Sequence, residues 1–203
     1  RFLLLGLGRL MHQKGFDLLV EAFGELAAEH PRWDLRILGE GEERPRLEAR
    51  LRRLGLEDRS SLPGLVRDVH AELERAHLFA FPSRYEGFPN ALGEALATGL
   101  PALAFRGVSG VEELVLEGHS GLLADRSGDP IRERAALVAA LRALMGDSER
   151  REAMGAAARA SIRRYRPEQI YAEWEDLLGS LLAEAESGAR SRRAAPSPRG
   201  RSA

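Results

Sequence analysis

The feature that most constrains this chain is an alternation. Short apolar runs end in glycine or proline turns, and each is followed by a stretch with helical spacing. Phe2-Leu3-Leu4-Leu5 closes on Gly6-Leu7-Gly8. From Gly15 to Glu29 the apolar residues Phe16, Leu19, Val20, Phe23, Leu26 and Ala27 recur at the helical period, and Pro31 stops the pattern. The same rhythm predicts strands at Leu35–Leu38, Ser60–Leu62, Leu78–Phe81, Pro101–Phe105 and Gly121–Ala124. Between them it predicts helices over Arg44–Leu54, Asp68–Ala76, Asn90–Thr98 and Val111–Leu116. From Pro130 to about Glu186 it is helical, with breaks near Gly146-Asp147 and Arg166-Pro167. A continuous apolar run suits a strand buried on both faces. Strands alternating with helices predict an α/β fold, a Rossmann-like parallel sheet with helices on both faces.

In such a sheet ligands gather outside the carboxyl ends of the strands. That places the loops after Leu5, Leu38, Leu62, Phe81 and Phe105 around one crevice. One domain is expected over residues 1–186. A tail at 187–203, rich in Arg, Ser, Ala, Pro and Gly, cannot bury a core and is expected to be disordered. Its arginines could meet anionic lipid, which leaves peripheral membrane association open. The chain opens on Arg1-Phe2 with no initiator methionine, almost inside a strand. We therefore expect a fragment lacking an N-terminal part.

Composition excludes several functions. The 203 residues hold no cysteine, which removes disulfides, thiolate metal sites and thiol nucleophiles. The net charge of -1 gives no reason to expect nucleic acid as a partner. His12, His30, His70, His77 and His119 show no metal-binding spacing, and no metal is expected. Ser83 and Ser109 sit in no nucleophile elbow. Of thirty basic residues only Lys14 is lysine, so this position is singled out for a compact ammonium where a guanidinium would otherwise stand.

Two constellations carry chemistry. Gly8-Arg9, four residues, then Lys14-Gly15 follows a strand and opens a helix. Glycines allow close backbone approach, and a helix start favours an anion. With Arg9 and Lys14 at the same mouth, the natural ligand is a diphosphate. Gly6-x-Gly8 begins a dinucleotide turn, but Met11 occupies the third glycine position, which argues against a dinucleotide oxidoreductase. The second constellation runs from Glu86 through Gly87, Phe88, Pro89 and Asn90 to Glu94. Its first acid lies in a loop after a strand, and its second about 6 Å along the next helix from Asn90. Both carboxylates can face one crevice and accept hydrogen bonds from sugar or ribose hydroxyls.

The order Gly8-Arg9, Lys14-Gly15, Gly39-Glu40-Gly41, Pro63-Gly64-Leu65-Val66, Pro82-Ser83-Arg84-Tyr85-Glu86-Gly87-Phe88-Pro89-Asn90, Glu94-Ala95 and Gly99-Leu100-Pro101 resembles the C-terminal, donor-binding domain of family 4 retaining glycosyltransferases. These are enzymes of the two-domain GT-B fold. The resemblance runs from Phe2 to about Asp125, and more weakly to Leu182. It implies that Arg9 and Lys14 neutralise the donor diphosphate, that Glu94 binds ribose, and that Glu86 meets the sugar or the reacting face. Gly8, Gly87, Phe88 and Asn90 would bring backbone to the sugar and phosphate, and Val66 would lie by the base. Many relatives have proline after the serine-glycine pair where this chain has Ser109-Gly110-Val111.

The resemblance further implies transfer from a nucleotide diphosphate sugar, with UDP as the default, to a glycan or lipid-linked acceptor with retention. Neither cofactor nor metal is implied. The acceptor would be held by the missing N-terminal domain, so this fragment alone is expected to be inactive. The expected location is the cytoplasm, at the inner face of the membrane if the tail meets lipid. Two other readings stay open: an inactive nucleotide-sugar-binding module of the same fold, and the oxidoreductase that Met11 disfavours.

Overall fold

The computed structural model describes the backbone of residues 1–194 and the side chains of residues 1–184. Six parallel strands form one sheet in the order β3-β2-β1-β4-β5-β6. They are β1 (Phe2–Leu7), β2 (Trp33–Leu38), β3 (Ser60–Gly64), β4 (Leu78–Phe81), β5 (Ala102–Phe105) and β6 (Gly121–Ala124). The central strands are those with unbroken apolar sequence: β4 and β5 are buried at every residue. Pro63, which cannot donate to a ladder, lies in the edge strand β3.

The connecting helices are α1 (Phe16–Leu26), α2 (Arg44–Arg53), α3 (Val69–Arg75), α4 (Asn90–Thr98) and α5 (Val111–Leu114). After β6 come α6 (Pro130–Gly146), α7 (Ser148–Ser161) and α8 (Pro167–Ala194). Helix α1 packs against α2 and α6, and α4 against α3 and α7. Right-handed crossovers put these two groups on opposite faces of the sheet. The chain divides into two compact units, Arg1–Arg163 and Arg164–Ala203. No helix among the described residues is long and apolar enough to cross a membrane.

The expected α/β architecture is therefore present, and the sequence boundaries differ from it in instructive places. Strand β2 starts at Trp33, two residues before its apolar run. Trp33 pairs in register with Phe2 and stacks on it at 5.2 Å between ring centroids, while Asp34 and Arg36 alternate toward the other face. Helix α1 stops at Leu26 rather than Glu29, because the chain turns there to enter β2, with the His30 N–H donating to the Leu26 carbonyl. Helix α8 continues through 187–194, part of the stretch expected to be a tail; residues 195–203 lie outside the described residues.

The strand order reverses between β1 and β4. Loops leaving these two neighbours diverge to opposite faces and open a crevice at their carboxyl ends.

Candidate functional site

The loop after β1 is shaped by close backbone contacts. Gly15 has φ 66°, and a Cβ there would stand 1.9 Å from the Pro82 carbonyl oxygen. The turn after β2 presses in from the other side, since a Cβ on Gly39 would meet the Gly8 carbonyl at 2.0 Å. Only glycine at these points lets the loops after β1, β2 and β4 converge. Backbone bonds complete the seam: the Leu10 N–H donates to Glu40, and Arg84 N–H to the Gln13 carbonyl.

Lys14 ends a single 3-10 turn, His12–Lys14. Its stem runs across Gly8, whose missing Cβ would lie 3.2 Å from Lys14 Cε. Its ammonium sits 5.4 Å from the Phe81 ring centroid and donates to Glu86 Oε1 at 2.6 Å. The side chains are 15% and 8% exposed, so this ion pair is largely shielded from water. The sequence places these two residues in separate constellations, and the fold puts them in contact.

Arg9 follows Gly8 at the same mouth, exposed and with no ion pair or hydrogen bond of its side chain among the described residues. Glu94, in α4, is likewise exposed and makes neither contact. It lines a surface cavity of roughly 370 Å³ with Val69, His70, Leu73, Ala97 and Thr98. Gly87, Phe88 and Asn90 are exposed around the start of α4, and Val66 lies half-buried just past β3. The Ser109 hydroxyl donates to the Gly87 carbonyl at 3.4 Å, and Gly110, at φ 74°, packs against Pro89. The Ser109-Gly110-Val111 departure thus abuts the loop that carries Glu86.

Helices α1 and α4 flank the switch point, and both begin without a side-chain cap, at Gly15 and Pro89. By contrast α3, α6 and α7 each start on an aspartate that caps them, Asp68, Asp129 and Asp147. An uncapped start, which α2 and α5 share, leaves first-turn N–H groups that an oxygen-rich ligand can meet, although at α4 the Asn90, Leu92 and Gly93 N–H groups already bond to the Phe88 and Pro89 carbonyls.

Two residues outside the sequence motifs, Asp17 and Gln13, meet the second motif here. The Arg84 guanidinium forms two parallel bonds with Asp17, 2.9 Å each, and donates to the His12 carbonyl at 2.5 Å. Gln13 Nε2 donates to the Tyr85 carbonyl at 2.8 Å. Burial pushes the Asp17 carboxyl up, but the hydrogen bonds and charge of Arg84, with Arg50 and His12 beyond, outweigh it and hold the carboxyl below its ordinary range. Asp17 lies in the first turn of α1, where an acid also suits the helix dipole, so its residue type alone does not point to Arg84. Ser83, between Pro82 and Arg84, is buried with its Oγ unpartnered. No group of three or more His, Cys, Asp or Glu residues that could hold a metal occurs among the described residues.

The family model described as "Glycosyl transferases group 1" matches residues 1–161. An exopolysaccharide phosphotransferase of Streptomyces coelicolor is 35% identical over 86% of the chain, which spans 18% of that protein. An uncharacterized glycosyltransferase of Haemophilus influenzae is 33% identical over 86% of the chain, which spans 48% of it. Among solved structures, the pneumococcal O-GlcNAc transferase GtfA in complex with UDP and GlcNAc superposes with a TM-score of 0.83 at 26% identity, over 89% of this chain and 36% of that one.

Proposed function

Because this chain belongs to the group 1 glycosyl transferases, we propose that it is the donor-binding half of an enzyme that transfers a sugar from a nucleotide diphosphate sugar, with retention, to a glycan or lipid-linked acceptor. The observation that carries the proposal is the shielded Lys14–Glu86 pair at the switch point, at the mouth where Arg9 is exposed and unpaired among the described residues and two helices start without a side-chain cap. The structure of GtfA with UDP and GlcNAc supports a uridine diphosphate as the first ligand to try.

The chemistry follows from charge. A departing nucleoside diphosphate must be stabilised as negative charge builds on it, and fixed cations in a partly dry site do this without reorganising. Arg9 offers a fork to the phosphate oxygens, and Lys14 a point charge. An incoming diphosphate competes with Glu86 for the Lys14 ammonium. Glu86, so released, can accept from a sugar hydroxyl while Glu94 accepts from the ribose. Gly87, Phe88 and Asn90 bring the uncapped start of α4 to the phosphate. Val66 contributes main chain near the base. The acceptor, and the group that activates its hydroxyl, belong in this proposal to a second domain.

The test is calorimetric titration of the chain with UDP and GDP. Binding in the range of roughly 10 μM to 1 mM is expected, with no transfer by this chain alone. Arg9→Ala and Glu94→Gln remove exposed groups that hold nothing else in place. Each should weaken binding about tenfold, roughly 1.4 kcal/mol, while leaving the melting temperature unchanged. Binding of neither nucleotide at millimolar concentration, or full affinity in both variants, would overturn the proposal.

A further inference from the structure

Resting on that reading, the geometry points to Arg84 and Asp17 as a positioning pair that fixes the spacing of Lys14 and Glu86 independently of the bond between them. Lys14 and Glu86 arrive on different loops, 72 residues apart in sequence. Their own ion pair cannot be what keeps those loops together in the liganded state, since the diphosphate competes for the same ammonium. Something else must hold the spacing while that bond is exchanged.

Arg84 is placed to do so. It stands two residues before Glu86, and Asp17 three residues after Lys14. Their forked bond, with side chains 12% and 19% exposed, joins the same two loops as the Lys14–Glu86 contact and is likewise largely shielded from water. The same guanidinium donates to the His12 carbonyl, at the start of the turn that ends on Lys14. The Arg84 N–H bonds to the Gln13 carbonyl, and Gln13 Nε2 bonds to the Tyr85 carbonyl, so the two loops grip each other at Arg84 and at the residue after it. A planar fork fixes orientation as well as distance, which an ammonium at this position would not do. Arg84 and Asp17 need touch no ligand for this role.

The experiment compares the native chain with Arg84→Lys, Asp17→Asn and the double variant, by amide hydrogen exchange, melting temperature and UDP titration. Arg84→Lys keeps the charge and removes the fork. We expect exchange to speed at least tenfold in both 10–16 and 84–90, with the strands unaffected and the melting temperature within a few degrees of native. UDP affinity should fall about tenfold in each single variant, and no further in the double, because two members of one device do not add. Unchanged exchange in both loops, or acceleration spread evenly over the sheet, overturns the positioning role. So does native affinity in the variants. If the native chain itself binds no nucleotide, the donor-site reading fails while the exchange result still decides whether this pair sets the loops.

Discussion

The two ends of the sheet treat charge in opposite ways. At the amino ends of β1 and β2, Arg151 is 6% exposed and sealed in. Its guanidinium lies 4.9 Å from the ring centroids of both Phe2 and Trp33, and donates to the Leu144 and Met145 carbonyls at the end of α6. Trp33 adds its own indole bond to Met145, and His77 packs edge-on against Phe2. Burial pulls Arg151 down from its ordinary value, though aromatic faces and helix-end carbonyls give the cation suitable partners. At the carboxyl ends, Arg9 is exposed and has no ion pair or hydrogen bond of its side chain among the described residues, and Lys14 is held by Glu86, which in the proposed function a diphosphate would replace. One arginine is used up by the fold and the other is left over. The lesson is that a cation's role is read from its partners and not from its type.

The largest effect that would break this contrast is predicted at Gly15. Although it belongs to the open end, Gly15 is as constrained as anything in the core, with its left-handed φ and the Pro82 carbonyl where a Cβ would go. Gly15→Ala should cost about 3 kcal/mol in urea unfolding, combining left-handed strain with a clash that forces the loops apart. A loss below about 1 kcal/mol would mean that the seam between the loops after β1 and β4 is soft, and the geometry of the proposed donor site with it.

Both ends were legible in the sequence to different depths. The fully apolar runs mark β4, β5 and the sheet centre by their length and flanks, since four apolar residues bounded by proline are too short for a helix and carry no period of their own. Trp33 was not read as strand, since Asp34 and Arg36 interrupt the run and only pairing with Phe2 reveals the alternation. The extension of α8 through 187–194 was hidden by composition. Arginine and alanine are strong helix formers, yet without apolar residues they resemble a tail. At the site, the residue types of Arg9, Lys14, Glu86 and Glu94 were visible, but their partners were not. Lys14–Glu86 and Arg84–Asp17 join positions 72 and 67 residues apart, and local patterning carries no sign of which acid meets which base.

The next effect in size sharpens the comparison from the closed end. Arg151→Ala removes two bonds to carbonyls at the end of α6 and the face-to-face cover on Phe2 and Trp33. A loss of about 2 kcal/mol is expected in denaturant, from the Leu144 carbonyl losing its guanidinium partner while Met145 keeps its bond from Trp33, and from apolar contact forfeited. UDP titration of the folded variant should match the native chain. A drop in affinity equal to that of Arg9→Ala would show that the two ends are coupled, and would dissolve the distinction between a spent cation and an available one.

The smallest effect is a pH dependence that belongs to the closed end alone. His77 Nδ1 accepts the Leu3 N–H at 3.2 Å, so the ring must be unprotonated there, and the backbone N–H of His77 donates to the Leu3 carbonyl. Burial, and then the nearby charge of Arg151, push the imidazole below its usual value. A folded value lower than the unfolded one, about 6.5, means that the unfolded chain takes up the proton first. The stability contributed by His77 is therefore complete above about pH 6.5, and is lost as the pH falls through the folded value. The loss is bounded by roughly one hydrogen bond, about 1 kcal/mol. Unfolding midpoints measured between pH 7.5 and 5 should decline in the native chain and decline less in His77→Gln, whose amide oxygen can still accept from Leu3 without titrating. Equal slopes in the two proteins would remove His77 from the account of how this end is sealed.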